Sequence, residues 1–168
     1  MPEPLRLVDT RVWFLELDEL RPSAVRARVE RAEVPFGPLN RLFYTEVGRD
    51  FAWTDKESWS EGRWQTWAER VETWLVHDRG TPAGFAELAT RTGGVEIATF
   101  GLLAPFRGRG LGGALLTRAT ERALELGGGG SVTVSTCDLD GPHALANYEA
   151  RGFRVVREEV HRRPGGRP

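Results

Sequence analysis

A chain of 168 residues with 40% hydrophobic side chains fits one compact domain that buries about two-thirds of the surface its unfolded form exposes. A formal charge of −1 removes the basic excess that a general nucleic-acid binder carries, and no apolar run approaches the ~20 residues needed to span a bilayer. Cys137 is the only cysteine and cannot close an internal disulfide, and Met1-Pro2-Glu3-Pro4 lacks the regions of a signal peptide, so a cytoplasmic protein with no nucleic-acid or membrane partner is expected.

Leu5 to Leu17, with Val12, Trp13, Phe14 and Leu15 at its centre, predicts a first strand. Pro22-Ser23 reads as a helix start, and Ala24 to Val29 carry that helix to about Ala32, before Pro35. From Phe36 to Trp74 nine aromatic residues crowd together, including five of the six tryptophans. Trp64, Trp67 and Val71 share one face of a helix expected over 60–70 and read as core, whereas Trp53 and Trp59 flank the polar turn Thr54-Asp55-Lys56-Glu57-Ser58. Of the 23 basic residues only Lys56 is lysine, a bias of composition toward arginine.

Thr73 to His77 and Ala83 to Thr90 form a hairpin around Asp78-Arg79-Gly80-Thr81-Pro82, and Gly93-Gly94 turns the chain into a central strand from Val95 to Leu103. Glu87 and Glu96 therefore fall on adjacent strands. The chain next enters Arg107-Gly108-Arg109-Gly110-Leu111-Gly112-Gly113 and an amphipathic helix to Leu126, stopped by Gly127 to Gly130. A strand from Val132 to Thr136, a short helix opened by Gly141-Pro142 and a last strand from Phe153 to Val160 follow. Residues 161–168 read as a frayed tail.

A strand that passes through a glycine turn into a helix leaves several backbone N–H groups without intrahelical partners, and the helix dipole favours an anion there. Phosphate or pyrophosphate is the expected ligand class. A Walker loop fails, because Ala114 and Leu115 stand where Lys and Ser or Thr should follow Gly113. The dinucleotide fingerprint matches through Gly108, Gly110 and Gly113, with Asp138 as an acid for the ribose, but only 55 residues remain after Gly113, too few for the further units of that fold.

Arg107-x-x-Gly110-x-Gly112 resembles the Q/R-x-x-G-x-G/A motif of the GCN5-related N-acetyltransferases, and Asn147-Tyr148-Glu149-Ala150-Arg151-Gly152-Phe153 is similar to the family's late helix with its tyrosine and Gly-Phe pair. The resemblance covers roughly Thr73 to Val160. It implies an α/β fold with a mixed, mostly antiparallel central sheet flanked by helices, an acetyl-coenzyme A core at 95–153 and an acceptor side at 36–74, within the single domain over 1–160 that the length and the lack of a linker predict. Cofactor contacts would come from the backbone of Gly101, Leu102 and Leu103, from Arg107, Gly108, Arg109, Gly110, Leu111, Gly112 and Gly113, and from Asn147 and Tyr148. Gly141 stands where an asparagine is common, so one side-chain contact is lost.

By the same resemblance Tyr148 would protonate the departing thiolate. Glu96, 11 residues before Arg107, would be the general base, with Glu87 and His143 in reserve. Phe43, Tyr44, Trp53, Trp59 and Glu87 are placed toward the acceptor. The expected reaction is direct acetyl transfer, without a metal, to a primary amine of a small molecule. A protein or peptide acceptor, a non-catalytic coenzyme A sensor and a homodimer stay open at this stage.

Overall fold

A computed structural model describes residues 7–164 and arranges them around one seven-stranded sheet. In chain order the elements are β1 (Leu7–Leu17), β2 (Arg28–Ala32), α1 (Gly37–Gly48), α2 (Glu61–Arg70), β3 (Val71–Asp78), β4 (Thr81–Arg91), β5 (Gly94–Leu102), α3 (Leu111–Gly127), β6 (Ser131–Cys137), α4 (Ala144–Ala150) and β7 (Phe153–Pro164). The strand order is β2-β3-β4-β5-β6-β1-β7, and every pair is antiparallel except β5 with β6. The N-terminal strand thus sits between β6 and β7. The architecture is the mixed, mostly antiparallel sheet flanked by helices that the sequence implied.

Helices cover both faces of β4, which explains why Ala83 to Ala89 are all buried and why the strand reads as a nearly unbroken apolar run. On one face Leu115, Leu116, Ala119 and Ala123 of α3 pack against Val76, Ala86, Leu88, Val95 and Val132. Each fully buried leucine of that layer stabilises the fold by about 1.5–3 kcal/mol. On the other face Phe43 and Val47 of α1 close over Phe85. α2 begins where Ser60 accepts a hydrogen bond from the Arg63 N–H at 3.2 Å, an N-cap that fixes the helix expected over 60–70.

Three stretches depart from the sequence reading. Residues 22–32 do not form a helix: Val25, Ala27 and Val29 alternate with Arg26, Arg28 and Glu30, a period of two, and 28–32 pair with β3 as an edge strand. On the way the chain crosses α3, where the Ser23 N–H donates to Thr117 Oγ1 at 2.9 Å. The region read as pocket lining contains α1, whose Asn40, Phe43, Tyr44 and Val47 recur at helical spacing on the buried side. Finally, β7 runs on to Pro164 because β1 offers a continuous partner: His161 pairs with Thr10, and Arg162 Nε lies 3.1 Å from Asp9 Oδ1. Residues 161–164 are therefore strand. The rest of the expected tail and the first two residues of the expected first strand lie outside the described residues. Among those described, no helix is long and apolar enough to cross a membrane.

Candidate active site

β5 pairs with β6 only from Gly94 to Ile97. The next residue, Ala98, is an extra one in the ladder with β4, since Leu88 faces Ile97 while Glu87 faces Thr99. Such a bulge bends the strand that carries it. Beyond it β5 and β6 part, so the β6-facing edge of residues 98–102 has no strand partner, while Ser135 to Cys137 pair with β1. A cavity of about 950 Å³ occupies the gap, lined by Ala98 to Leu102 on one side and Val134 to Cys137 on the other.

At the Leu102 end the chain makes a single 3-10 turn, Ala104–Phe106, and enters the glycine loop. Gly108 and Gly110 sit at φ 80° and 81°, where a side chain is strained. The N–H groups from Gly108 to Gly113 have no backbone acceptor among the described residues, and Gly108, Gly110, Gly112 and Gly113 line the cavity. Orphan amides and the α3 dipole together make an anion site. A Cβ on Gly112 would stand 3.6 Å from Asn147 Nδ2 and from Leu102 Cδ1, so the missing side chain keeps the space over the first turn of α3 open.

Arg107 lines this space; its guanidinium donates to the Leu102 carbonyl at 3.1 Å and to Asp50 at 2.8 Å, and lies 4.5 Å from the centre of the Phe51 ring. Leu102, Asn147 and Tyr148 also line the cavity. Three residues expected beside them do not. Arg109 turns outward to Asp78 at 2.9 Å, the Leu103 N–H is given to the Ala83 carbonyl at 2.9 Å, and the Leu111 side chain is core. Leu111 can contribute only its amide.

Tyr148 is buried, its ring 5.8 Å from Phe100 and 6.1 Å from Phe153. Burial, and then the nearby Asp140 carboxylate, push its hydroxyl above the ordinary tyrosine range, so it holds its proton. Asp140 accepts from the Trp53 indole at 3.0 Å and from Thr136 Oγ1 at 2.6 Å. Through that bond Trp53 links the α1–α2 connection to the β6–α4 loop, across the gap between the parted strands.

The acceptor-side residues divide. Trp53 and Tyr44 line the cavity, and the Tyr44 hydroxyl donates to Asp55 at 2.6 Å while accepting from the Lys56 N–H at 3.2 Å. Phe43 is core, its ring 5.3 Å from that of Phe85, which corrects the expectation that it lines a pocket. Trp59 packs tilted against Trp64 at 5.0 Å and edge-on against Trp67 at 5.9 Å, and it is not among the lining residues, which corrects the expectation for it too. His143 lines the cavity from the start of α4.

Glu87 is fully buried, and Thr99 is its neighbour across the ladder. Its Oε2 accepts from Asn40 Nδ2 at 3.3 Å and from the Trp67 indole, while Oε1 has no hydrogen-bond partner. Burial pushes its carboxyl above the usual range; the Lys56 ammonium and the Trp67, Thr99 and Asn40 side chains oppose that shift without cancelling it. Glu96 is elsewhere. It precedes the bulge, faces Thr133 of β6, and places Oε2 2.9 Å from Arg91 Nε, away from the cavity lining. The expected general base is thus a partly exposed ion-pair partner. Lys56, Thr99 and Asp140 are cavity residues that the sequence reading passed over. For Lys56 a signal existed, the single lysine in a turn flanked by tryptophans. Among the described residues no three His, Cys, Asp or Glu side chains gather as metal ligands do.

A family model described as the Acetyltransferase (GNAT) family matches residues 39–153. The mycothiol acetyltransferase of Corynebacterium aurimucosum is 28% identical over 162 residues, a match covering 89% of this chain and 52% of that protein. The chain therefore spans about half the length of this curated relative. Among solved structures, a GCN5-related N-acetyltransferase from Kribbella flavida superposes with TM-score 0.64 at 23% identity, covering 96% of this chain and 60% of that one. An acetyltransferase from Bacillus subtilis in complex with CoA gives TM-score 0.60 at 24% identity, with 79% of each chain covered. At these identities the structures speak for the fold, and the family match, running from α1 through the glycine loop to the start of β7, speaks for descent: the chain belongs to the GNAT family of acetyltransferases.

Proposed function

We propose that the chain transfers acetyl from acetyl-coenzyme A to a primary amine of a small molecule by direct attack. The observation that carries this reading is the meeting, in one cavity, of the unpartnered amides of residues 108–113 with the unpaired edge of residues 98–102. The amides and Arg107 suit a pyrophosphate, and the free edge suits an amide-bearing arm that adds to it as a strand would. Acetyl-coenzyme A supplies an activated thioester at the end of that arm. Tyr148, protonated and walled by Phe100, suits the role of donating its proton to the departing sulfur.

An amine arrives as an ammonium and must lose a proton. Glu87 is fitted to take it by way of the Thr99 hydroxyl, because a carboxyl raised by burial binds a proton more readily than a solvated one. Cys137 supports direct transfer rather than an acyl-enzyme, since burial and the Asp140 carboxylate push its thiol up and leave little thiolate. The bridge from Trp53 to Asp140 favours a small acceptor over a protein segment, which needs an open groove.

Thiol release from acetyl-coenzyme A against a panel of small amines and lysine peptides tests the proposal. Amine-dependent release with small amines preferred supports it. Stabilisation of the protein by NAD and not by coenzyme A, or release indifferent to any amine, overturns it.

A further inference from the structure

The only lysine of the chain is lodged in the acceptor side of the cavity. Lys56 Nζ lies 4.4 Å from the ring centre of Trp67, 5.3 Å from that of Trp59 and 5.5 Å from that of Tyr44, and 3.5 Å from Thr99 Oγ1. Three aromatic rings around one ammonium, with the buried Glu87 carboxylate near enough to feel its charge, form a receptor for an alkylammonium. Here the protein fills that receptor with its own side chain. Thr99 belongs to the unpaired edge of β5, and Phe100 beside it packs on Tyr148, so the same short segment touches both the lysine amine and the proposed proton donor. Lys56, Tyr44 and Thr99 all line the cavity beside that edge, so the caged side chain adjoins the space proposed for the thioester.

We propose that the protein acetylates its own Lys56, an activity that rests on the acetyl-transfer reading above. The Lys56 ammonium first gives one proton to Glu87 through Thr99. The free amine nitrogen then attacks the thioester carbonyl carbon of acetyl-coenzyme A, forming the C–N bond as the C–S bond breaks. Tyr148 gives its proton to the departing thiolate, and the second nitrogen proton, released as the amide forms, passes through water in the cavity to restore Tyr148, so that the products are an ε-acetyl-lysine, coenzyme A thiol and protonated Glu87. The modified side chain carries no charge. It loses the cation–π attraction of the three rings and leaves Glu87 without its nearby cation.

Intact-mass and peptide mass spectrometry after incubation with acetyl-coenzyme A test this directly, because no other lysine competes for the label. The expected result is one acetyl group per chain, mapped to Lys56, formed at a rate independent of protein concentration and accompanied by one equivalent of thiol. Tyr148→Phe should slow the adduct by about 10²-fold or more. Lys56→Arg, which keeps the cation in the cage and should keep the fold, should acquire no adduct while still binding coenzyme A. Modification of the N-terminus or Cys137 without Lys56, or a Lys56 adduct that forms equally fast in Tyr148→Phe, overturns the proposal. So does an unlabelled Lys56 in a protein that binds acetyl-coenzyme A and acetylates added amines, a result that leaves the proposed function standing. Failure to bind acetyl-coenzyme A at all overturns both.

Discussion

Replacing Tyr148 by phenylalanine separates chemistry from architecture. The ring is held by Phe100 and Phe153, and no group among the described residues accepts a hydrogen bond from the hydroxyl, so removing one oxygen should leave packing intact and stability within about 0.5 kcal/mol of the parent. If the hydroxyl protonates the leaving sulfur, its loss should lower kcat by about 10²- to 10⁴-fold, equivalent to about 2.7–5.4 kcal/mol of barrier. Because burial raises the tyrosine above its ordinary value of 10.0, the parent should lose no activity through deprotonation of this group across the neutral range, and the deficit of the variant should be constant there. Thiol release at saturating acetyl-coenzyme A and amine, read beside coenzyme A affinity and thermal midpoint, measures all three quantities. A variant with unchanged affinity and midpoint and undiminished kcat at every pH would remove Tyr148 from the reaction. One that unfolds would refute the packing argument.

Glu96→Gln should leave kcat within a few-fold of the parent and stability within about 1 kcal/mol, since Glu96 loses only a partly exposed pair with Arg91; a 10²-fold loss would restore it as the base. Glu87→Gln should behave in the opposite way, with acetyl transfer sharply reduced and the fold retained. Its stability also carries a sign: the folded protein holds the Glu87 proton above the ordinary value of 4.5, so the parent loses stability as pH rises from there through the raised value, by at most about 1.4 kcal/mol per pH unit. The midpoint of the glutamine variant relative to the parent should therefore climb with pH over that window in parallel melting curves, and a flat or falling difference contradicts the burial argument. Trp53→Phe removes an indole hydrogen bond to a carboxylate, worth about 1.5–3 kcal/mol, and should raise the KM for the amine by about tenfold while coenzyme A affinity stays within a few-fold. The reverse pattern would place Trp53 on the donor side.

The parts of the site that could be read from sequence are those where local chemistry dictates local structure. Glycines at positive φ, a helix start and a strand before it mark the loop from Arg107 to Gly113 without reference to the rest of the fold, and the turn at Arg79-Gly80 marks its hairpin in the same way. Register is different. The bulge at Ala98 comes after Glu96 and before Thr99, and one extra residue decides which of Glu87 and Glu96 lies behind the cavity. Nothing in the composition of β5 announces it. The cage around Lys56 needs Tyr44 of α1, Trp67 of α2 and the connection between them to meet, and the aromatic residues of α1 mask its helical spacing because they resemble a pocket wall. Val25, Ala27 and Val29 alternate as a strand does, but the Pro22-Ser23 pair in front of them carries the stronger local signal, that of a helix start. The insertion of β1 between β6 and β7 joins residues more than 100 positions apart, which no local signal encodes.

The central claim is that the open first turn of α3 and the free edge of β5 grip coenzyme A. Calorimetric titration of coenzyme A into the parent and into Gly112→Val tests it most directly, because the new methyl groups extend from a position 3.6 Å from Asn147 Nδ2 into the space that the cofactor should occupy. One site per chain in the parent, weakened by about tenfold or more (at least 1.4 kcal/mol) in a variant that remains folded, is the predicted result. Equal affinity in the two proteins, or no binding to either, would contradict it.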